Sequence, residues 1–113
     1  MPRPRMFRRV RAEPAANYFK PAGIPLSMLK ETILTVDEFE AIRLKDYKGM
    51  EQEEAAKEMN ISQPTFNRLL RSARKKLAEA VVEPRAIKIE GGRYKIHEEP
   101  RRGIGRRLRR GRG

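Results

Sequence analysis

The pattern of apolar and polar positions predicts a first helix that begins at Thr35. Val36, Phe39 and Ile42 recur at the spacing that places side chains on one face of an α-helix. Thr35 followed by Glu38 has the sequence of a capping box, in which each side chain accepts a hydrogen bond from the other residue's backbone N–H. We expect this helix to bury its apolar face and to end at the next glycine along the chain.

Two further helices are predicted, separated by a short turn. One covers about residues 52–59, with Ala55, Ala56 and Met59 on its buried side. The other follows Ser62, a good N-cap residue, and ends near residue 82, because a proline at position 84 disfavours helix at the residue before it. Its buried stripe is expected to consist of Phe66, Leu69, Leu70, Ala73 and Leu77.

The join between the second and third predicted helices has the residue types of a helix-turn-helix. Ala56 is the small residue that lets two helices cross closely, and Asn60 tolerates left-handed backbone geometry. Ile61 then fills the turn, and Phe66 and Leu69 anchor the following helix. Ordinary three-helix cores can show the same spacing, so the pattern is only moderately specific.

The exposed side of the third helix is the candidate site, because the N-terminal half of a recognition helix enters the major groove. Gln63 or Asn67 can pair with adenine, and Arg68 or Arg71 with guanine. Ser62 and the free N–H groups of the helix start can hold a phosphate, and the cations from Arg74 to Lys76 are expected to contact the DNA backbone. The candidate DNA-binding residues are Ser62, Gln63, Pro64, Thr65, Asn67, Arg68, Arg71, Arg74 and Lys75.

Charge strengthens this interpretation. The chain of 113 residues has a formal net charge of +12, and its two ends hold most of the excess. Residues 1–11 contain five arginines and no acid, and residues 99–113 contain seven arginines and one acid. Residues 62–77 hold five bases and no acid. This distribution indicates a polyanionic partner, although basic tails also occur as solvated, mobile termini.

A β-hairpin is predicted after the helices, from residues 86–90 and 93–97 around Gly91 and Gly92. Two glycines suit a tight turn, and the register brings Ile89 opposite Tyr94 on one apolar face. The hairpin either forms a wing on DNA or packs on the core, the N-terminal segment or a second subunit, and we favour the second group. The phosphate contacts of a wing would come from Lys88, Arg93 and Lys95.

These elements predict a mainly α, single-domain protein: a helix-turn-helix with a three-helix core, a small C-terminal β-hairpin and basic flexible tails. Residues 1–33 form an extended basic arm and docking segment, and residues 34–83 form the helix-turn-helix domain. Residues 84–98 form the hairpin, and residues 99–113 form a disordered tail rich in arginine and glycine.

Catalysis has little support in the sequence. The chain has no cysteine, which excludes disulfides and thiolate metal sites, and its only histidine, His97, has no partner motif. No apolar run approaches the length of about 20 residues that spans a membrane. We therefore expect a soluble cytoplasmic protein that is not an enzyme and has no catalytic residues, cofactor or metal.

The chain resembles a family of small prokaryotic DNA-binding proteins, many of them archaeal, whose function is not established. Their helix-turn-helix is similar to that of sigma-factor region four. The resemblance implies a DNA-binding regulator with its recognition helix at about residues 63–77. It is carried by MPRPR at residues 1–5, YFKPAGIPL at 18–26, LTVDEFEAIRLKD at 34–46, the helical sequence at 52–82 and AIKIEGG at 86–92.

The chain also departs from that family's pattern. Members often have cysteines where this chain has Phe7 and Arg11, which argues against a metal or redox role here. Glu51 replaces the usual hydroxyl N-cap before the first motif helix, and Asn60 replaces the usual turn glycine. Some relatives continue into a second domain that resembles a cofactor-binding module of nitrogen-fixation proteins, whereas this chain has only its arginine-rich tail.

The sequence therefore predicts a sequence-specific double-stranded DNA-binding protein that regulates transcription. A homodimer would double the short site that one helix can read. One alternative is an RNA-binding or ribosome-associated protein that acts through its arginine tails. The other is an adaptor whose helix-turn-helix holds RNA polymerase or another protein. No membrane partner is expected.

Overall fold

The computed structural model describes residues 7–96, which form three α-helices and five short strands in the mainly α arrangement that the sequence predicts. The helices are α1 (Val36–Ile42), α2 (Gln52–Glu58) and α3 (Gln63–Val82). The strands are β1 (Arg8–Val10), β2 (Tyr18–Phe19), β3 (Glu31–Leu34), β4 (Ala86–Ile89) and β5 (Tyr94–Ile96). A single 3-10 turn, Leu26–Met28, lies between β2 and β3 within the described range.

The first helix begins as predicted and ends differently. The Thr35 hydroxyl accepts from the Glu38 N–H at 3.4 Å, and the Glu38 carboxylate accepts from the Thr35 N–H at 3.0 Å, which completes the capping box. After Ile42 the backbone widens into a π-helical turn, Arg43–Tyr47, instead of continuing as α-helix to Gly49. Gly49 still ends the helical segment, with a φ of +75°.

One part of the core lies where α1, α2 and α3 meet. Ala55, Met59 and Phe66 are fully buried there, and Leu70 packs beside them. Ile61 and Leu69 are partly buried against this cluster. The predicted buried sides of α2 and α3 are therefore confirmed, and their burial against one another fixes which side of α3 faces solvent.

The other part of the core joins the strands to α1 and α3. It contains Val10 of β1, Leu34 of β3, Val36 of α1, Ala73 of α3 and Ile89 of β4. Each of these side chains is at most 5% exposed. The described part of the predicted N-terminal arm thus contributes strands and a core residue to the same body as the helices.

The predicted β-hairpin is wrong, although both of its strands exist. β4 is the middle strand of a three-stranded sheet in the order β2-β4-β3, antiparallel to β2 and parallel to β3. β5 pairs instead with β1, in parallel. The glycines carry the chain across the start of α1, where the Gly91 carbonyl accepts from the Val36 N–H at 3.0 Å.

Ile89 and Tyr94 consequently lie in different sheets. The alternative in which these strands pair with the N-terminal segment is confirmed. His97 and the arginine tail lie outside the described residues.

Candidate nucleic-acid interface

The turn between α2 and α3 follows the geometry that its residue types predict. Asn60 has a φ of +58°, in the left-handed region that asparagine tolerates better than most residues. The Ile61 N–H donates to the Ala56 carbonyl at 3.0 Å, which folds the chain back towards α2. Ala56 is only 3% exposed, so the helices pack closely at this point.

The start of α3 is organised by its own side chains. The Ser62 hydroxyl accepts from the Thr65 N–H at 3.2 Å and lies 2.9 Å from the Thr65 hydroxyl. Ser62 is therefore the N-cap, as predicted, but its oxygen is already used in capping. Pro64 has no N–H, and the N–H groups of Thr65 and Phe66 donate to Ser62, so the first turn of α3 offers a phosphate only the Gln63 N–H.

The structure brings the predicted DNA-binding residues together along the outer side of α3. Thr65 and Asn67 are half-buried, where the sequence prediction placed Asn67 fully outward. The exposed members are Ser62, Gln63, Pro64, Arg68, Arg71, Arg74 and Lys75.

Two of these side chains also bind neighbouring segments. Arg74 donates from Nε and Nη2 to the Asp46 carboxylate, at 3.1 and 2.6 Å. These hydrogen bonds are the main reason that the pKa of Asp46 is lowered and the pKa of Arg74 raised. The Asn67 Oδ1 accepts from the Gln52 amide at 3.4 Å, so one half of the Asn67 amide is occupied.

Lys76, expected among the cations that contact the DNA backbone, turns inward instead. Its ammonium lies 2.8 Å from the buried Glu38 carboxylate, which also accepts from the Ser72 hydroxyl at 2.6 Å. Burial opposes the charged form of Glu38, but the hydrogen bonds from Lys76, Ser72 and Thr35 outweigh it and lower the pKa. Lys76 therefore joins α3 to α1.

Three cations remain on the outer side of α3 without a carboxylate partner in the described range: Arg68, Arg71 and Lys75. Among residues 7–96, their only side-chain hydrogen bond is the one of 3.4 Å from Arg68 Nη2 to the Thr65 hydroxyl. The exposed side of the neighbouring helix α2 is mainly acidic, with Glu51, Glu53, Glu54 and Glu58, so the exposed bases of the two helices are concentrated on α3. Glu51 is the N-cap of α2 but makes no side-chain capping bond.

The cations of the predicted wing do not form a comparable group. Lys88 lies 3.5 Å from the Glu90 carboxylate, on a strand that pairs on both sides. Arg93 and Lys95 are exposed, but Lys95 belongs to the separate β1–β5 pair.

Residues 7–96 offer neither a candidate metal site nor a candidate membrane-spanning helix. These residues contain no group of three metal-ligating side chains placed to share an ion. No helix in the same range is long and apolar enough to cross a membrane.

Sequence reasoning missed one feature beside this surface, the segment 43–50 between α1 and α2. Tyr47 is 84% exposed there, and Asp46 is the partner of Arg74. The exposed tyrosine is visible in the sequence as an aromatic residue between Asp46 and Lys48. The pairing of Asp46 with Arg74 spans 28 positions and has no local signal.

Comparison with known proteins identifies the family. The chain belongs to the family described as "Protein of unknown function DUF134", which matches residues 1–97. It is 60% identical over 105 residues to a UPF0251 protein of Caldanaerobacter subterraneus subsp. tengcongensis, covering 93% of this chain and 89% of that protein. A UPF0251 protein of Dehalococcoides mccartyi strain 195 is 53% identical over 100 residues, covering 88% and 86%.

These relatives are bacterial, whereas the resemblance had suggested a largely archaeal family. A UPF0251 protein of Moorella thermoacetica is 54% identical over 96 residues, which are 85% of this chain and 64% of that protein. No solved structure matches the chain.

Proposed function

We propose that this protein binds double-stranded DNA in a sequence-specific way and regulates transcription, with α2 and α3 acting as a helix-turn-helix. The observation that carries the proposal is the outer side of α3, a helix that begins directly after a left-handed turn. Arg68, Arg71 and Lys75 are exposed there and have no carboxylate partner among residues 7–96. A helix that only packed on the core would normally mix acids with its exposed bases, and residues 62–77 contain none. The protein acts in this account by binding alone, not by catalysis.

The contacts on α3 indicate which of the predicted DNA-binding residues are available to recognise bases. Pairing with adenine needs both the oxygen and the nitrogen of an amide. Asn67 is half-buried and its oxygen already accepts one hydrogen bond from Gln52, although an amide oxygen can accept a second. Gln63, Arg68 and Arg71 are exposed, and we assign most of the base recognition to them. Thr65 positions Arg68, whose Nη2 donates to the Thr65 hydroxyl at 3.4 Å.

A homodimer remains part of this proposal. One helix face of this length reaches only a few base pairs, and a two-fold copy would read a second half-site about one helical turn away. An inverted repeat in the site that the protein selects from random duplex DNA would show such a dimer directly.

The test of this proposal is the Arg71→Ala variant, measured by fluorescence anisotropy on a preferred duplex and on single-base variants of it. We expect a loss of about 1–3 kcal/mol in binding free energy and relaxed preference at one base position. Lys20→Ala is the control, because Lys20 is an exposed cation beside β2, at the far side of the sheet from β3. Equal binding by Arg71→Ala and wild type would contradict the proposal, and a uniform loss across all sequences would assign Arg71 to a phosphate.

A further inference from the structure

The segment between α1 and α2, together with the first residue of α2, runs beside the outer side of α3 and is attached to it at two points. Asp46 is bound by Arg74 through two hydrogen bonds, and Gln52 donates to Asn67. Asn67 and Arg74 are two helical turns apart, and Arg71 lies between them on the same side of α3. Residues 46–52 therefore border the surface that we propose for base recognition.

The π-helical turn determines what this segment exposes. Leu44 is 2% exposed, and Tyr47, three positions later, is 84% exposed. In an α-helix, residues three apart lie on the same side. Here the wider turn, closed by a hydrogen bond of 2.9 Å from the Lys48 N–H to the Arg43 carbonyl, separates them. π-Helical turns are rare and occur frequently at functional sites.

The exposed side chains of this turn suit a phosphate. Lys48 is exposed, and the side chains of Lys48 and Tyr47 make no hydrogen bond or ion pair within residues 7–96. The one acid of the turn, Asp46, is neutralised by Arg74. A phenolic hydroxyl and an ammonium are common donors to phosphate oxygens in protein–DNA interfaces.

The dimensions of DNA place such a phosphate beside α3. The major groove is about 12 Å wide, and a helix with its side chains is about 10–12 Å in diameter. A helix that fills the groove brings the segment alongside it to the phosphates at the groove edge.

We infer that Tyr47 and Lys48 bind a backbone phosphate of the same duplex whose major groove receives α3. The inference rests on the proposed function and adds a contact that fixes the orientation of α3 without reading sequence. Arg74 and Asp46 are positioning residues in this arrangement, since they hold the turn against α3.

The test compares Lys48→Ala and Tyr47→Phe with the control Lys20→Ala, on a preferred duplex and on random-sequence duplex over a range of salt concentrations. Lys48→Ala should weaken binding to both duplexes by a similar factor of about 2–10. It should also reduce the slope of log K against log salt by about one. Tyr47→Phe should weaken binding by a smaller factor and leave the slope unchanged, and Lys20→Ala should match wild type.

A second measurement locates the phosphate. Replacing single phosphates of the preferred duplex with neutral methylphosphonates should reveal one position at the groove edge that weakens wild type but not Lys48→Ala. The inference is overturned if Lys48→Ala and Tyr47→Phe bind with wild-type affinity and the wild-type slope of log K against log salt. If Arg71→Ala loses binding in the same experiment, the proposed function still stands. Unchanged binding in Arg71→Ala as well would contradict the proposed function itself.

Discussion

At the scale of single residues, Gly92 passes the start of α1 so closely that a side chain has no room there. A Cβ atom on Gly92 would lie 2.9 Å from the Thr35 Cβ and closer still to Asp37 Oδ1. Gly92 also has a φ of +98°, and its neighbour Gly91 has a φ of +78° with open space where a Cβ would be. The two adjacent glycines therefore meet different constraints.

This difference gives a matched pair of substitutions. Gly91→Ala should cost about 1–2 kcal/mol in free energy of unfolding, from left-handed backbone strain alone. Gly92→Ala should cost about 2–4 kcal/mol, because overlap with Thr35 and Asp37 adds to the same strain. Urea unfolding of both variants measures the difference. Equal losses would show that the chain does not cross the start of α1 as closely as described.

At the scale of elements, α1 and α3 are joined by a polar contact as well as by packing. Glu38 is 5% exposed and receives hydrogen bonds from Thr35 in its own capping box and from Ser72 and Lys76 of α3. A buried carboxylate that loses a charged partner keeps the cost of its desolvation. The contact should therefore matter to stability, and its strength should depend on pH.

We expect Lys76→Met to lower the free energy of unfolding by about 1–3 kcal/mol at neutral pH. Lys75→Met is the control, since Lys75 is exposed without a carboxylate partner in the described range, and it should change stability by less than about 0.5 kcal/mol. Urea titrations of both variants against wild type measure these losses.

The pH dependence follows from the lowered pKa of Glu38. A lowered carboxyl pKa adds stability that is complete above the unfolded-state pKa of about 4.3 and is lost as pH falls through the folded-state pKa. The difference in free energy of unfolding between Lys76→Met and wild type should accordingly be largest at neutral pH and should shrink as the pH falls through the acid range in which Glu38 becomes protonated. A difference that stayed constant into acid would mean that Lys76 acts through packing alone.

The helices and the turn between α2 and α3 could be predicted because their signals are local. The capping box at Thr35, the N-cap Ser62 and the left-handed Asn60 each depend on residues a few positions apart. Strand partners have no such local signal. Gly91 and Gly92 have the positive φ values that the sequence suggests, but a hydrogen bond to Val36 decides where the chain goes next.

In the candidate site, too, the features with local signals could be predicted and those that depend on distant residues could not. Exposure of Arg68 and Arg71 follows from helical periodicity and is confirmed. The inward turn of Lys76 and the pairing of Arg74 with Asp46 depend on acids 38 and 28 positions away, which no spacing rule places.

At the scale of the whole molecule, the described part of the N-terminal segment, from residue 7 onward, belongs to the folded body. Val10 is 1% exposed and packs in the cluster that joins the sheets to α1 and α3, and β1 supplies the partner of β5. The sequence predicts an extended basic arm there, because its many prolines and arginines give no apolar pattern that would indicate a short buried strand. The two arginines of β1 are thus held close to the helices, Arg8 beside Asp37 and Arg9 through its N–H to the Met59 carbonyl.

This arrangement predicts that Val10→Ala destabilises the entire fold. We expect a loss of about 1–3 kcal/mol, the usual effect of deleting buried methyl groups. Val81→Ala is the control, because Val81 on α3 is 78% exposed and should change stability by less than about 0.5 kcal/mol. Thermal unfolding followed by circular dichroism in the helical region would detect the difference. Equal behaviour of the two variants would place β1 outside the cooperative unit.

The central claim is that the outer side of α3 reads DNA sequence. The most direct test is selection of random duplex DNA on the purified full-length chain at about 0.15 M salt, followed by sequencing, with Arg71→Ala in parallel. The account predicts an enriched motif for wild type and relaxed preference at one position for the variant. Binding without enrichment, weakened steeply by salt, would contradict the claim and favour an RNA-binding protein or a protein-interaction adaptor.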